Sequence, residues 1–270
     1  MDDYLDAQWR PILEYNGLAS FDALWQLDVP WFEPPNERRG GWSGVARVEL
    51  KCPDGSRVGV FLKRQENHNT PTWLHPWRGA PTFRREFKRI RLYQRCEVPS
   101  LEPVFFAMRS CGKDDRAILM TAELDGFVSL DQLNEDLRMH GQSAHAGGIG
   151  LSDRRAVIMA VARLVRRMHA QRLRHGCLFG KHVFVRKTDA GQIEARVIDL
   201  EKTHRPLAGY FCAEHDLYSL ERGTYGWRLS DKVFFLREYL QLPRLSAYAK
   251  RLWRAVSKRA AKKRAQRNTL

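Results

Sequence analysis

The chain has 270 residues, 43% of them hydrophobic, with eight Trp and thirteen Phe. That composition excludes an intrinsically disordered chain and allows either one two-lobed unit or two small domains. A formal net charge of +15 favours an anionic partner, whether nucleic acid, membrane surface or phosphorylated substrate, and the five scattered cysteines support neither a disulfide framework nor a zinc site.

Met1 to Asp6 is acidic with no apolar stretch behind it. No signal peptide is therefore expected, and no window reaches the roughly 18 apolar residues of a spanning helix. The location expected from this is cytoplasmic. Arg39-Gly40-Gly41-Trp42-Ser43-Gly44 is a glycine-rich turn, in which Gly40, Gly41 and Gly44 would let backbone N–H groups approach phosphates closely. A turn of this kind is also common with no ligand at all. Val45 to Leu50 alternates as a half-buried strand does, Pro53-Asp54-Gly55-Ser56 is turn chemistry, and Val58 to Lys63 returns as the second strand of a hairpin.

Asn67 to Pro81, rich in Pro and His, reads as an ordered loop before a helix over Thr82 to Arg95. Lys63 ends an otherwise apolar strand, where a long cation calls for a carboxylate. Glu86 is the candidate, on the helix face of Ile90 and Tyr93; a local helix salt bridge is the alternative. Val104 to Met108 and Ala117 to Ala122 read as two more strands.

From here the pattern turns mostly helical. Ser129 to Arg138 is a short helix with Ser129 as N-cap, and His140 to Gly150 is a loop. A long amphipathic helix starts at Ser152 or Asp153 as cap, with Ile158, Val161, Leu164, Val165 and Met168 at helical spacing. His182 to Val185 and Ala195 to Leu200 read as a hairpin, followed by helices near 214–222, 230–241 and 245–263.

Asp199 ends a buried strand, a costly place for a carboxylate unless a cation or hydrogen bonds compensate, so a metal is the natural functional reading. The loop His175 to His182 brings Lys181 and His182 towards Asp199, a neighbourhood suited to phosphate and magnesium. His175 and Lys181 flank Cys177 and would lower its thiol pKa. Lys250 to Arg267 is rich in Lys and Arg and lacks any acid. It reads either as a solvated helix end or as a patch for an anionic membrane surface.

The phrases RRGGWSGVARVEL and VFLKRQ, the helix with Glu86, the His175 loop and Val197-Ile198-Asp199-Leu200-Glu201 together resemble the bacterial lipopolysaccharide core kinases of the InaA and WaaP type, over residues 38 to 240. The resemblance implies an α+β, two-lobed protein-kinase-like fold, with a small β-rich N-lobe carrying one helix and a larger helical C-lobe. The expected divisions are 1–122, 123–249 and a basic tail, 250–270.

It further implies ATP and Mg²⁺ as cofactors, Lys63 on the nucleotide phosphates while paired to Glu86, and Asp199 and His182 on the metal. Lys181 and Cys177 would stand in the catalytic loop. Thr121 to Leu124, with Glu123, would form the hinge that binds adenine through its backbone, and Asp216 would brace the catalytic loop. The implied acceptor is a sugar hydroxyl, heptose, of the lipopolysaccharide inner core, at the cytoplasmic face of the inner membrane. Nucleic acid is not an expected partner, because no nucleic-acid module is recognisable.

One departure stands out: Cys177 occupies the position of the catalytic-loop Asp in H-R-D-x-x-x-x-N. Three readings stay open, namely another base such as Glu201, a slow enzyme, or a pseudokinase.

Overall fold

A computed structural model of the protein describes residues 3–38, 40–72, 75–112, 114–140, 148–207, 210–224 and 226–268. The chain divides into two compact units, Met1–Leu92 with Leu101–Asp125, and Tyr93–Ser100 with Gly126–Leu270.

The first unit is built on strands β1 (Tyr4–Leu5), β2 (Glu33–Arg38), β3 (Gly41–Lys51), β4 (Arg57–Glu66), β7 (Pro103–Cys111) and β8 (Asp114–Ala122). They form one antiparallel sheet in the order β1-β7-β8-β4-β3-β2. Side chains alternate between its faces. Val60 and Leu62 of β4 join Val48, Leu50, Ile118 and Met120 in a core that helices α1 (Arg10–Tyr15) and α2 (Phe21–Gln26) close through Leu13, Phe21 and Leu24. Ser20 caps α2 by accepting the Ala23 N–H at 3.2 Å. These two helices in the N-terminal extension add to the one helix expected of this lobe.

On the opposite face lies α3 (Thr82–Arg95), whose Phe87 stacks on Phe106 at 4.3 Å between centroids. Between β4 and α3 the expected loop is a two-stranded hairpin instead, β5 (Asn69–Thr72) with β6 (His75–Pro81). Thr70 pairs with Ala80 there, and the register shifts between Thr70 and Thr72. Strands this short, and interrupted by an irregularity, leave no alternating signature to read.

Of the glycine-rich segment expected as a turn, Gly40 lies at the tip of the β2–β3 hairpin, where Arg38 pairs with Gly41, while Gly41 and Gly44 belong to β3 itself. Gly40 takes a positive φ of +76°. A Cβ on Gly41 would meet the Glu66 carbonyl oxygen at 2.1 Å, so its lack of a side chain is already required by the approach of β4.

The second unit holds α4 (Leu130–His140), α5 (Arg154–Ala170), α6 (Tyr210–Gly223), α7 (Leu229–Leu240) and α8 (Ala247–Asn268), with a small sheet β11-β10-β9 of Ile193–Val197, Val183–Lys187 and Val128–Ser129. Ser129 Oγ accepts the Gln132 N–H at 3.2 Å, as its capping role requires. Asp153 departs from expectation and makes no side-chain cap on α5. Its carboxylate is committed to the Gly150 N–H at 3.0 Å and the Lys187 ammonium at 3.0 Å.

Buried Ala249, Leu252, Val256 and Ala260 make the inward stripe of α8, while Lys250, Arg251, Arg254, Lys258 and Arg259 are exposed. Trp253 lines an apolar cavity between α6, α7 and α8 with Lys232 above its ring, so it serves packing here. No described helix is long and apolar enough to cross a membrane.

A Gly41→Ala substitution should lower the unfolding free energy by about 1–3 kcal/mol, because the new methyl group meets backbone rather than a movable side chain. Urea unfolding followed by tryptophan fluorescence measures it.

Candidate active site

In the first unit the pair drawn from the sequence is formed: Lys63 Nζ lies 2.6 Å from Glu86 Oε1, with the side chains 20% and 10% exposed. Strand period and helix phase both follow from local sequence. Lys63 and Gln65 share the face of β4 opposite Leu62, and Glu86 shares the buried face of α3 with Ile90.

Gln65 is a residue that sequence reasoning missed. Fully buried, it accepts the Phe83 N–H at 2.9 Å and the Thr82 hydroxyl at 2.7 Å through Oε1, and donates to the His68 carbonyl at 2.8 Å. It therefore satisfies the start of α3 from the strand that carries Lys63, which sets the helix register that puts Glu86 opposite the ammonium. The readable signal was a polar residue two positions after Lys63, on the same inward face.

Glu123 sits at the end of β8. Its N–H donates to the Gly59 carbonyl at 2.9 Å, and its carboxylate holds Arg47 through two hydrogen bonds of 2.8 and 2.7 Å. Gly59 leaves the room that the Glu123 side chain fills, since a Cβ there would lie 1.7 Å from Oε2.

In the second unit, Asp199 follows β11 in the left-handed conformation, φ 58° and ψ 58°, an unusual backbone for Asp that turns the chain into a 3-10 helix over Leu200–Lys202. His182 Nε2 lies 3.4 Å from Asp199 Oδ2. The other ring nitrogen, Nδ1, contacts the Cys177 carbonyl at 2.7 Å and must donate, because a carbonyl only accepts. In the neutral form of the ring, that tautomer places the Nε2 lone pair on the Asp199 side. A carboxylate beside an unprotonated imidazole nitrogen is a donor set that a divalent cation can share.

His175, fully buried, is assigned by the same logic. Nδ1 accepts the Cys177 N–H at 3.3 Å, and Nε2–H donates to the Ile198 carbonyl at 2.9 Å. Burial holds its pKa below the usual 6.5, against the pull of Asp216. His175 thus ties the loop of residues 175–182 to the residue preceding Asp199.

Beneath the loop, Asp216 on α6 is fully buried and accepts the N–H groups of His175 at 2.6 Å and Gly176 at 2.9 Å. His169 Nε2 lies 3.2 Å away, and its Nδ1 lies 2.8 Å from the Tyr239 hydroxyl. Burial by itself would raise the Asp216 pKa, but hydrogen bonds from His169, His215 and the Gly176 amide outweigh it and hold the carboxyl well below the usual range.

Lys181 does not join Asp199. Its side chain is exposed, its backbone N–H bonds to Asp131, and no described ion pair links it to Asp199. The Lys202 ammonium interacts with the buried Cys177 thiol, a proximity that a 25-residue separation hides in the sequence.

Residues 22–239 match the model of the Lipopolysaccharide kinase (Kdo/WaaP) family. The chain belongs to that family. Protein InaA of Escherichia coli (strain K12) is 31% identical over 202 residues, which cover 75% of this chain and 87% of InaA. A solved structure of WaaP in complex with acyl carrier protein superposes with a TM-score of 0.65 at 23% identity, covering 97% of this chain and 99% of that one. The fold of this family member is the two-lobed, kinase-like fold, and its family is one of kinases.

Stability should fall as pH drops below about 6.5, because the unfolded chain protonates His175 there while the folded chain resists. A wild-type minus His175→Gln difference in urea unfolding between pH 7 and 5 should approach a slope of at most about 1.4 kcal/mol per pH unit. Equal slopes in both proteins would show that His175 is not held neutral.

Proposed function

We propose that this family member is an ATP-dependent kinase that phosphorylates a sugar hydroxyl, heptose, of the lipopolysaccharide inner core. The observation that carries the reading is the Lys63–Glu86 pair, since an ammonium fixed by a carboxylate on a strand–helix pair is the device that orients nucleotide phosphates in kinases.

Mg²⁺ fits the donors available. Asp199, with its side chain 43% exposed, offers carboxylate oxygen, and His182 offers the Nε2 lone pair beside it. Two protein donors leave further positions for phosphate oxygens and water, as Mg²⁺ prefers. When bound, the ion would neutralise charge on the phosphates. The chain's own residues do the rest: Lys63 binds phosphate oxygens, Glu86 holds Lys63 in place, and Asp216 with His175 keeps the loop bearing His182 rigid. Adenine would bind along Thr121 to Leu124. Gly40, Gly41 and Gly44 would bring backbone N–H groups to the phosphates, although the packing of Gly41 is already explained without a ligand. The net charge of +15 suits an anionic acceptor, and the exposed cations of α8 suit an anionic membrane surface on its cytoplasmic side.

A pseudokinase is the second reading, favoured by the buried Cys177 thiol with Lys202 against it where a base carboxylate is expected. General-base help contributes about 10²–10⁴-fold, whereas phosphoryl transfer depends mainly on positioning and charge neutralisation. Loss of that base would slow an enzyme without abolishing it.

Labelled phosphate transfer from ATP to purified lipopolysaccharide, run beside ATP binding, separates the two. Lys63→Ala and Asp199→Asn should each lower transfer at least 100-fold, and Cys177→Asp should raise it. ATP binding with no transfer in wild type would favour the pseudokinase, and wild-type transfer by either of the first two variants would overturn the assigned roles.

A further inference from the structure

Helix α3 presents Glu86, Ile90 and Tyr93 to the interior, and at 3.6 residues per turn its outer arc carries Arg84, Arg85 and Lys88, with Arg89 at the edge of the inward face. These four cations, with Thr70, line a cavity of about 230 Å³, and no carboxylate stands among the described residues of its wall. Among the described residues, no acid pairs with Arg84, Arg85 or Lys88. Arg84 Nε is buried without a hydrogen-bond partner. Asp115, which lines a neighbouring cavity together with Arg84, is engaged by Ser110 Oγ at 2.8 Å and Asn69 Nδ2 at 3.1 Å.

The arrangement is electrostatically unfavourable as it stands. Arg84 and Arg85 fall in the first turn of the helix, which holds no acid, and the helix dipole there opposes cations. Burial, then the fields of Arg84 and Arg89, pull the Lys88 ammonium below its usual pKa. Arg84, Arg85 and Lys88, like charges on one concave wall with no acid paired to them among the described residues, are relieved by an anion that brings several charges at once.

We propose that this cavity is a second anion site, distinct from Lys63, that binds phosphate-ester groups. Resting on the proposed function, it would take phosphates already carried by the acceptor saccharide and hold that acceptor to the first unit. The shared chemistry is a phosphate dianion, whether on a free molecule or on a lipid headgroup. The guanidinium groups of Arg84 and Arg85 would bind it in bidentate fashion, with Lys88 completing the contacts.

Calorimetric titration of the full chain with inorganic pyrophosphate tests the site. It is run in a Lys63→Ala background so that the nucleotide phosphate site is disabled, and compared with the same protein carrying Arg85→Gln and Lys88→Gln. The double substitution should weaken pyrophosphate at least tenfold. In otherwise wild-type protein it should leave ATP affinity within twofold and raise the melting temperature of the ligand-free chain, since it removes repulsion. Sedimentation with phosphatidylglycerol vesicles forms the second arm: loss of vesicle binding in the double variant, together with competition by pyrophosphate, assigns the phosphate to a lipid headgroup, whereas unchanged vesicle binding assigns it to a free or saccharide-borne group. Pyrophosphate affinity retained within twofold, or reduced equally by Arg251→Gln with Arg254→Gln on α8, would overturn the site. Failure of the proposed function would appear separately, as unaltered ATP binding in Lys63→Ala alone.

Discussion

A lysine on the inner side of a sheet strand must have its charge answered, and the first unit is organised around the answer. Lys63 is held by Glu86 at 2.6 Å. For that distance to be met, α3 must start at a particular residue and lie at a particular phase against β4. Gln65 supplies the starting point by accepting from Phe83 and Thr82, while Phe87 on Phe106 supplies the packing contact further along. On the other sheet face, Leu62 belongs to the core closed by α1 and α2. One strand therefore carries both the core and the site, and a strand alternates its side chains so that each requirement has its own face.

The second unit answers a different cost, that of a buried carboxylate. Asp216 stays ionised because two backbone N–H groups and two histidines surround it. Removing such an ion from its partners, or its partners from it, typically costs about 3–5 kcal/mol. What this bracing secures is the loop conformation. His175 then reaches the Ile198 carbonyl, His182 reaches the Cys177 carbonyl, and the other ring nitrogen of His182 is directed to Asp199. The left-handed backbone of Asp199 fits the same account, since strain of this kind is sustained only where the surroundings over-determine it.

Much of this was legible from residue patterns. The alternation of Val45 to Leu50, the apolar run to Lys63, the lone Glu86 among cations and the helical spacing from Ile158 to Met168 each report a face or a partner directly. The β5–β6 hairpin was not legible because its strands are short and irregular, and the α1 and α2 helices are only six residues each. Gln65 was overlooked because a neutral polar side chain carries no charge demand to flag it, although its burial imposes one of hydrogen bonding. The placement of Lys202 against Cys177 depends on the turn after Asp199 and not on proximity in the chain. Asp153 had the right type and position for a cap, but the charge of Lys187 won its carboxylate.

Membership of the lipopolysaccharide kinase family and the Lys63–Glu86 geometry converge on phosphoryl transfer, and the acceptor is the part of the account most open to a direct test. Mass spectrometry of the core oligosaccharide from a strain lacking this protein, beside the parent strain, provides it. The account predicts a core missing one phosphate that returns when the wild-type chain is restored and does not return with Asp199→Asn. An identical phosphate content in the parent and the deletion strain would contradict it.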